Sequence, residues 1–261
     1  MIMDYHIHTS ASPDAEGKIE DYAKKANEKG LCEIGFSDHL LFHEIINYPR
    51  MRYQQMPTYI ENFLVQKRKS KLPIKLGAEI DFFPKDIDKI RVFIQKYPFD
   101  YVIGAVHFIG NWSVDNPRQM YEYLRRDILQ IYREYFSLIR EMCRSSLFEI
   151  VAHLDLIKIF GFKPSCDLSD ILMETAEAIA KSKICVEINT AGLRRPCAEI
   201  YPGEQFLKIL RDYDVPIVFG SDAHKPEDLG RNFKEALLLA KKVGYNQACI
   251  FNQRKPTFIE I

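Results

Sequence analysis

The sequence predicts an α/β fold in which helices surround a mainly parallel sheet. Seven short runs rich in β-branched residues alternate along the chain with seven helical patterns, and 47% of the 261 residues are hydrophobic, enough for a large buried core. The histidines stand almost entirely at the ends of the β runs. No low-complexity segment or long linker divides the chain, so we expect a single domain spanning residues 1–261.

Each predicted strand is short and apolar enough to be buried in a parallel sheet. The predicted strands are Met3–Ile7, Glu33–Ser37, Ile74–Ile80, Tyr101–Val106, Glu149–Ala152, Ile184–Ile188 and Ile217–Gly220. We expect the C-terminal residues, 248–261, to close one end of the barrel. The β/α alternation fits both a closed barrel and an open doubly wound sheet, so this pattern alone leaves the two architectures open.

The helical patterns show apolar residues at helical spacing, and several begin with Ser, Asp, Asn or Pro near the first turn. The predicted helices are Ile19–Lys29, Pro57–Lys69, Ile87–Lys96, Met120–Cys143, Ser169–Ser182, Gly203–Tyr213 and Asn232–Val243. In the fourth, a stripe of five residues is expected to face the core. The stripe consists of Tyr121, Leu124, Ile128, Ile131 and Tyr135.

The composition and the missing motifs exclude several classes of function. Lys plus Arg (36) equal Asp plus Glu (36), so no overall positive charge favours nucleic acid or an anionic membrane. The sequence shows no signal peptide, no run of about 20 apolar residues, and six cysteines without a CxxC pair, which together indicate a cytoplasmic protein. GxSxG, GxxxxGK[ST] and GxGxxG motifs are missing, which favours metal-assisted hydrolysis of a small molecule. The sequence does not predict the oligomeric state.

The positions of the histidines predict a metal centre. In α/β barrels the C-terminal ends of the strands meet at one face, so residues distant in sequence converge there. His6 and His8 form an HxH pair, whose spacing places both side chains on one face of a strand and suits chelation. A single histidine at a strand end is more often a hydrogen-bonded structural residue, but six together favour metal binding. The six are His6, His8, His39, His107, His153 and His224.

Carboxylates near the same strand ends complete the candidate ligand set. Glu79 lies in an otherwise apolar strand, where a charged side chain is costly unless it is paired or metal-bound, and Asp81 is the alternative to it. Asp222 follows the seventh strand, and Asp38 precedes His39. Imidazole together with carboxylate suits Zn, Mn or Fe. Such ions lower the pKa of a bound water to about 7, so that hydroxide can attack phosphorus without a protein nucleophile.

Seven segments together resemble the PHP (polymerase and histidinol phosphatase) family along the whole chain. They are DYHIHTSASPD, FSDH, GAEIDF, GAVHFI, VAHLDLI, EINTAGLR and GSDAH. The resemblance implies a distorted (β/α)7 barrel that holds two to three divalent transition metals. The segments VHFIGNWSVDNP and EINTAGLRRP are most similar to the histidinol phosphatase branch. That branch implies hydrolysis of L-histidinol phosphate to L-histidinol and phosphate, in L-histidine biosynthesis, by attack of a metal-bridging hydroxide.

The resemblance also implies which residues bind the metals. The implied ligands are His6, His8, Glu79 and Asp222 for the first ion, Glu79, His107 and His153 for the second, and Asp14, His39 and His224 for the third. Many family members have a histidine at the position of Asp14, where a carboxylate can replace it. Glu79 and Asp222 are also the candidate catalytic residues.

For the substrate phosphate, the resemblance points to Lys158 and Arg194, with Arg195 as a rival. An arginine offers a planar bidentate fork and a lysine a point charge, while the alternative for each is ordinary surface charge. His43 is a candidate for phosphate binding or for protonation of the leaving alkoxide, and a loop histidine without function is its alternative.

Two loops are further candidates for substrate contact. Residues 40–55 form a long connection of the kind that often covers an active site, and a role in packing alone is the alternative. Trp112 and Asp115 are candidate contacts for an imidazole-bearing amino alcohol, with the carboxylate pairing with an ammonium group. Two other functions remain open: a phosphodiesterase or nuclease with the same metals, and a non-catalytic metal-binding regulatory module.

Overall fold

The computed structural model describes residues 2–45 and 48–261, and its strands and helices alternate as the sequence predicts. The strands are β1 (Met3–Asp4), β2 (Glu33–Phe36), β3 (His39–Leu40), β4 (Ile74–Leu76), β5 (Glu79–Asp81), β6 (Ile103–Ala105), β7 (Phe108–Ile109), β8 (Trp112–Ser113), β9 (Ile150–Val151), β10 (Cys185–Asn189), β11 (Ile217–Gly220), β12 (Gln247–Asn252) and β13 (Lys255–Glu260). The helices are α1 (Ile19–Lys29), α2 (Met56–Lys69), α3 (Ile87–Lys96), α4 (Glu122–Arg125), α5 (Ile128–Arg144), α6 (Ser169–Ser182), α7 (Glu204–Asp212) and α8 (Phe233–Lys242). Among the described residues, none of these helices is long and apolar enough to cross a membrane.

Parallel strands form a closed ring of seven positions. β1, β2 and β4 pair in that order, and β3, β5, β6, β9, β10 and β11 pair in a second series. β2 and β3 follow one another in a single position of the ring, as do β4 and β5. The amide of Tyr5 donates to the carbonyl of Phe219, and Ile7 forms a parallel bridge with Ala223, which joins the two ends of the series. The fold is therefore the predicted distorted (β/α)7 barrel.

At two positions of the ring, the strand is divided into two short segments, which the sequence did not predict. The predicted strand Ile74–Ile80 is divided into β4 and β5, and β3 follows β2 without having been predicted. Interruptions of this kind re-aim side chains and are common beside active sites. Here the second segments begin at His39 and Glu79, which are register partners across the β3–β5 pair.

The prediction of one continuous helix over Met120–Cys143 is wrong. The segment is divided into α4 and α5, because Asp127 adopts extended backbone and its side chain accepts the amide at the first turn of α5 (3.1 Å). Tyr121 and Leu124, on the α4 side, are 47% and 71% exposed, whereas Ile131 and Tyr135 on α5 are fully buried. The predicted core-facing stripe therefore exists only on α5.

The C-terminal hairpin of β12 and β13 closes the end of the barrel opposite the histidines. The ring of Phe251 lies 6.0 Å from that of Tyr5 and 6.2 Å from that of Tyr101, and its amide donates to the hydroxyl of Tyr5 (2.9 Å). All three aromatic side chains are buried. This arrangement agrees with the role expected for residues 248–261.

Tyr101 crosses this end of the barrel where glycine leaves room for its ring. Its hydroxyl donates to the carbonyl of Tyr5 (2.7 Å), and a Cβ atom at Gly77 would overlap the ring.

We predict that Gly77→Ala lowers the free energy of unfolding by about 1–3 kcal/mol, because the ring or the strand must shift. Urea denaturation followed by circular dichroism measures this. Val92→Ala, at a 68% exposed position of α3, is the control and should change it by less than about 0.5 kcal/mol. An unchanged value for Gly77→Ala would contradict the packing argument.

Candidate metal centre

The six histidines at the strand ends converge at one end of the barrel, as the sequence predicts. His6 and His8 follow β1, His39 begins β3, His107 follows β6, His153 follows β9, and His224 follows β11. The first five are buried, and His224 is partly exposed at the rim. The parallel ring brings them together because its strands all end at this face.

The first group of candidate ligands consists of His6, His8, Glu79 and Asp222. In this group both histidines approach one oxygen of Glu79 and one of Asp222. Glu79 Oε2 lies 3.3 Å from His6 Nε2 and 3.6 Å from His8 Nε2. Asp222 Oδ1 lies 3.7 Å and 3.3 Å from the same two nitrogens. These are the four residues that the family resemblance implies as ligands of the first ion.

The other oxygen of Glu79 faces the second group. Glu79 Oε1 lies 3.0 Å from His153 Nε2 and 3.8 Å from His107 Nε2. The opposite ring nitrogen of His107, Nδ1, lies 2.8 Å from Asp81 Oδ1, so Asp81 orients a candidate ligand instead of replacing Glu79. Glu79 thus stands between the two groups, in the position of a bridging ligand.

The third group forms around Asp14 at the rim. Asp14 Oδ2 lies 3.7 Å from His39 Nε2 and 3.6 Å from His224 Nε2. The rings of His8 and His39 stack with their centroids 4.1 Å apart, so this group adjoins the first. The carboxylate of Asp14 therefore lies where the sequence comparison expects a ligand.

The spacing of these atoms fits divalent metal ions. Ligands at about 2.0–2.1 Å from a tetrahedral ion are roughly 3.4 Å apart, close to the separations of 3.3–3.7 Å in the first and third groups. His6 Nε2 and His8 Nε2 are buried without a hydrogen-bond partner, although unpaired buried polar atoms are costly. Among the described residues, three overlapping sets have ligand atoms close enough to hold one ion, and they divide the cluster differently from the three groups: His8, His39 and His224; His6, His8 and Asp222; and His6, Glu79 and His153.

Glu187 is a buried carboxylate that the sequence analysis missed. It lies in β10 on the inner side of the barrel, and its Oε1 is 2.7 Å from His6 Nδ1. Its other oxygen accepts the backbone amide of His153 (2.8 Å). The signal that singled out Glu79, a charged residue in an apolar strand, was equally present in the EIN segment.

Asp38 serves the loop after β1 and does not face the candidate ions. Its carboxylate accepts the amide and hydroxyl of Thr9 (2.8 and 2.9 Å) and the hydroxyl of Ser12 (2.8 Å). The Ser12 hydroxyl in turn accepts the amide of His39 (3.1 Å). Asp38 therefore holds the loop that carries Asp14 next to the strand that carries His39.

A cavity of about 130 Å³ opens onto the three groups. Besides ligands of all three groups, its lining includes Tyr48, Asp115, Arg195 and Tyr201. Arg195 brings a positive charge and Asp115 a negative charge to the same space as the candidate ions. Both residues were predicted to contact substrate, and both line this cavity.

Lys158 and Arg194, two of the residues predicted to bind phosphate, do not line this cavity. Lys158 Nζ is buried 2.7 Å from Asp155 Oδ2 and 3.1 Å from Glu199 Oε2, and it lines a separate cavity between the outer helices. Its charge is already neutralised there. Arg194 donates to the carbonyl of Ser221 (2.7 Å) and so braces the loop after β11. Of the three candidates, Arg195 is the one that lines the cavity.

His43 and Trp112 also lie outside the cavity. His43 Nδ1 is 3.0 Å from Asp86 Oδ2, and its ring stacks on Phe83 with the centroids 4.1 Å apart. In this arrangement the side chain fixes its own loop, and its catalytic and phosphate-binding roles stay predictions. Trp112 is buried and donates from its indole nitrogen to the carbonyl of Gln119 (3.2 Å), which makes it part of the support for the Asp115 loop.

The connection at residues 40–55 contributes to the cavity wall, although residues 46 and 47 of this predicted lid lie outside the described residues. Tyr48 and Pro49 line the cavity. The hydroxyl of Tyr48 is 3.2 Å from His107 Nδ1. The amide of Met51 donates to the carbonyl of His39 (2.9 Å), which anchors the far end of the connection.

The chain is similar to proteins of one family along its whole length. A family model described as "PHP domain" matches residues 4–191, and one described as "PHP-associated" matches residues 204–235. A probable histidinol-phosphatase of Deinococcus radiodurans is 34% identical over 257 residues, covering 97% of this chain and 98% of that protein. The histidinol-phosphatase of Lactococcus lactis is 28% identical over 264 residues, covering 97% and 95%.

A solved structure has the same fold. It is the crystal structure of a histidinol phosphate phosphatase from Lactococcus lactis complexed with zinc, L-histidinol and phosphate. The two structures superpose with a TM-score of 0.84 over 98% of each chain, at 26% sequence identity. A PHP-type fold extends over the whole of this chain.

The charges of the cluster shift the protonation of its members. Burial alone would lower the pKa of His39, but the carboxylate of Glu79 beside it raises that pKa to about 9. In His107 the same effect of burial is outweighed by Asp81, and the pKa is raised to about 10. Burial would raise the pKa of Glu79, but His6 and His39 hold it well below its usual value. In the metal-free protein at pH 7, these histidines carry protons and Glu79 is ionised.

We predict that metal binding releases protons at pH 7 and that metal affinity rises with pH up to about 10, the higher of the two raised pKa values. A metal ion needs a nitrogen lone pair, so His39 and His107 must lose the protons that their raised pKa values retain. Zinc titration calorimetry at pH 7 in buffers of different ionisation enthalpy measures the release. Asp81→Asn removes the charge that raises the pKa of His107, and should reduce the number of protons released. Binding heats that do not depend on the buffer would contradict this account.

Proposed function

We infer that this chain, which belongs to the PHP domain family, hydrolyses L-histidinol phosphate to L-histidinol and phosphate. The family assignment drawn from seven sequence segments is confirmed by the model that matches residues 4–191. The chain is an enzyme that acts on a small phosphomonoester with the help of divalent metal ions. A place in L-histidine biosynthesis follows from the product.

The observation that carries this proposal is the buried cluster of six histidines and three carboxylates at the open end of the barrel. Within each of three overlapping sets, the candidate ligand atoms lie within 4.8 Å of one another, and the cluster adjoins a cavity lined by both a positive and a negative side chain. The related enzyme of Lactococcus lactis was crystallised with zinc, L-histidinol and phosphate, which supports both the class of ion and the substrate.

Three ions would be held by the three groups. His6, His8, Glu79 and Asp222 would bind the first, and Glu79 would share the second with His107 and His153. Asp14, His39 and His224 would bind the third at the rim. Zn, Mn and Fe all suit ligands of this kind, and metal supply decides among them. When bound, such ions lower the pKa of water and polarise the phosphoryl oxygens, so that hydrolysis proceeds at neutral pH.

The protein's own residues orient the substrate. Arg195 reaches the cavity from the loop after β10, where a guanidinium can pair with two oxygens of a phosphate group. Glu79 and Asp222 keep their negative charge because the histidines hold the pKa of each well below its usual value. They act as ligands and not as proton donors. No described residue is assigned the role of acid toward the leaving alkoxide.

Asp115 gives the cavity its selectivity for an amino alcohol. Its carboxylate lines the cavity and accepts the hydroxyl of Ser113 (2.6 Å), which fixes its direction. L-Histidinol phosphate carries an ammonium group as well as a phosphate. A site with Arg195 for the anion and Asp115 for the cation matches both charges of this substrate.

We predict that zinc- or manganese-loaded protein releases phosphate from L-histidinol phosphate with a kcat/KM in the range of about 10⁴–10⁸ M⁻¹s⁻¹. An aryl phosphate and an aryl phosphodiester serve as comparison substrates and should react far more slowly. Glu79→Gln should lower kcat/KM by more than about 100-fold, since it removes a ligand shared by two ions. Glu204→Gln, at an exposed position paired with Lys242, is the matched control and should keep full activity.

The outcomes of this assay separate the candidate functions. A preference for the diester would replace the proposal with a phosphodiesterase. Failure of Zn-, Mn- and Fe-loaded protein to turn over any of the three esters would favour a non-catalytic metal-binding module. Full activity of Glu79→Gln would place the metal centre elsewhere.

We predict that Asp115→Asn raises the KM for L-histidinol phosphate about 10-fold or more and leaves the aryl phosphate unaffected. A contact between a charged donor and a carboxylate contributes about 1.5–3 kcal/mol, and 1.4 kcal/mol corresponds to a factor of ten. Steady-state kinetics with both substrates measure the difference. Arg195→Ala is the comparison variant and should raise the KM for both, because both carry the phosphate. Equal effects of Asp115→Asn on the two substrates would rule out ammonium recognition.

A further inference from the structure

We infer that Glu187 is a positioning residue that decides which nitrogen of His6 carries the ring proton, and thereby keeps Nε2 free to bind the first ion. The inference rests on the proposed metal centre and goes beyond it, because Glu187 itself faces away from the cavity. Its side chain is 1% exposed and lies behind His6 in the barrel interior.

Glu187 uses both carboxylate oxygens as acceptors. Oε1 lies 2.7 Å from His6 Nδ1. Oε2 accepts the backbone amide of His153 (2.8 Å) and the side-chain amide of Asn189 (3.0 Å). One buried side chain therefore supports a candidate ligand of the first ion through its ring and a candidate ligand of the second through its backbone.

The two groups that face Oε2 can only donate. The amide of His153 is part of the main chain and has no alternative orientation. The side-chain amide of Asn189 is also held in one orientation, because its oxygen accepts the amide of Ala191 (2.8 Å). Oε2 must therefore be an acceptor, whatever happens at Oε1.

Among the described partners of Glu187, the ring of His6 is the one that can change its role. A neutral imidazole carries one N–H and one lone pair, and the hydrogen bond at one nitrogen determines which is which. With a carboxylate at position 187, Nδ1 donates to Oε1. Nε2 then keeps its lone pair and points at the Glu79 and Asp222 oxygens of the first group.

A glutamine at this position would invert that arrangement. Its single oxygen would turn toward the two fixed donors at His153 and Asn189, and its NH₂ group would face His6. Nδ1 would then have to accept, and the ring proton would move to Nε2, where it blocks the metal. The opposite orientation of the amide would leave its NH₂ group against two N–H donors.

The barrel is shaped to hold this carboxylate. A Cβ atom at Gly220 of β11 would overlap Glu187 Oε1 and would lie 2.8 Å from His6 Cβ. Glycine at this position leaves the space in which Glu187 and His6 meet. The same space holds a glutamine of equal size, so the exchange tests hydrogen-bond direction and not packing.

The test is Glu187→Gln, measured by zinc content after dialysis and by long-range ¹H–¹⁵N NMR of the histidine rings. In the zinc-loaded natural protein we expect His6 protonated at Nδ1. In Glu187→Gln we expect His6 protonated at Nε2, and one zinc per chain bound about 10- to 100-fold more weakly. The rings of His107 and His153 should keep their zinc-bound signals. Glu204→Gln is the matched control and should match the natural protein in both measurements.

Several results would overturn the inference. The inference is wrong if the Glu187→Gln variant keeps its full zinc content with His6 protonated at Nδ1. It is also wrong if the variant loses zinc while the protonated nitrogen of His6 stays the same. If this variant does not fold, the natural protein decides alone, since zinc-loaded protein with His6 protonated at Nε2 is incompatible with the inference. Natural protein that binds no zinc, manganese or iron would overturn the proposed function as well. Zinc binding with the wrong protonated nitrogen would overturn only the role of Glu187.

Discussion

The structure depends on one carboxylate, Glu79, which is buried among five imidazole rings. Without partners its negative charge would be prohibitively costly at 1% exposure, and without that charge the histidines would repel each other whenever they are protonated. Its two oxygens face different groups of candidate ligands. The barrel places it there because β4 and β5 interrupt one ring position, so that Glu79 begins β5 opposite His39.

A second layer of carboxylates keeps the first in place. Glu187 holds His6, Asp81 holds His107, and Asp38 holds the loop that carries Asp14. Asp4 accepts the amides of Ser221 (3.0 Å) and Gly230 (2.9 Å), which ties β1 to the loop after β11. Burial raises the pKa of Asp4 to about 6. Each of these residues satisfies donors that the barrel ends would otherwise leave unpaired.

The acceptors near each positive side chain decide whether it stabilises the fold or is available to bind substrate. Lys158 is surrounded by Asp155, Glu199 and the carbonyl of Ile200, so its charge is used within the fold. Arg194 is used in the same way by backbone carbonyls. Arg195, one residue further, lines the cavity. A cation near an active site therefore serves substrate only where the protein does not already neutralise it.

The sequence by itself predicted seven β/α units and the clustering of histidines at strand ends, because strand periodicity follows from local pattern, while the family resemblance predicted the closed barrel and the candidate ligand set. Only the tertiary structure decided the division of α4 from α5, the separation of Lys158 and His43 from the cavity, and the contacts of Glu187. The last two outcomes depend on which groups meet in three dimensions. Lys158 pairs with Asp155, and His43 pairs with Asp86. His6 contacts Glu187, which lies on a strand about 180 residues away along the chain. Spacing along the chain reports the end of a strand, but the partner of a buried charge is chosen in three dimensions by distance and by the donors and acceptors still unpaired there.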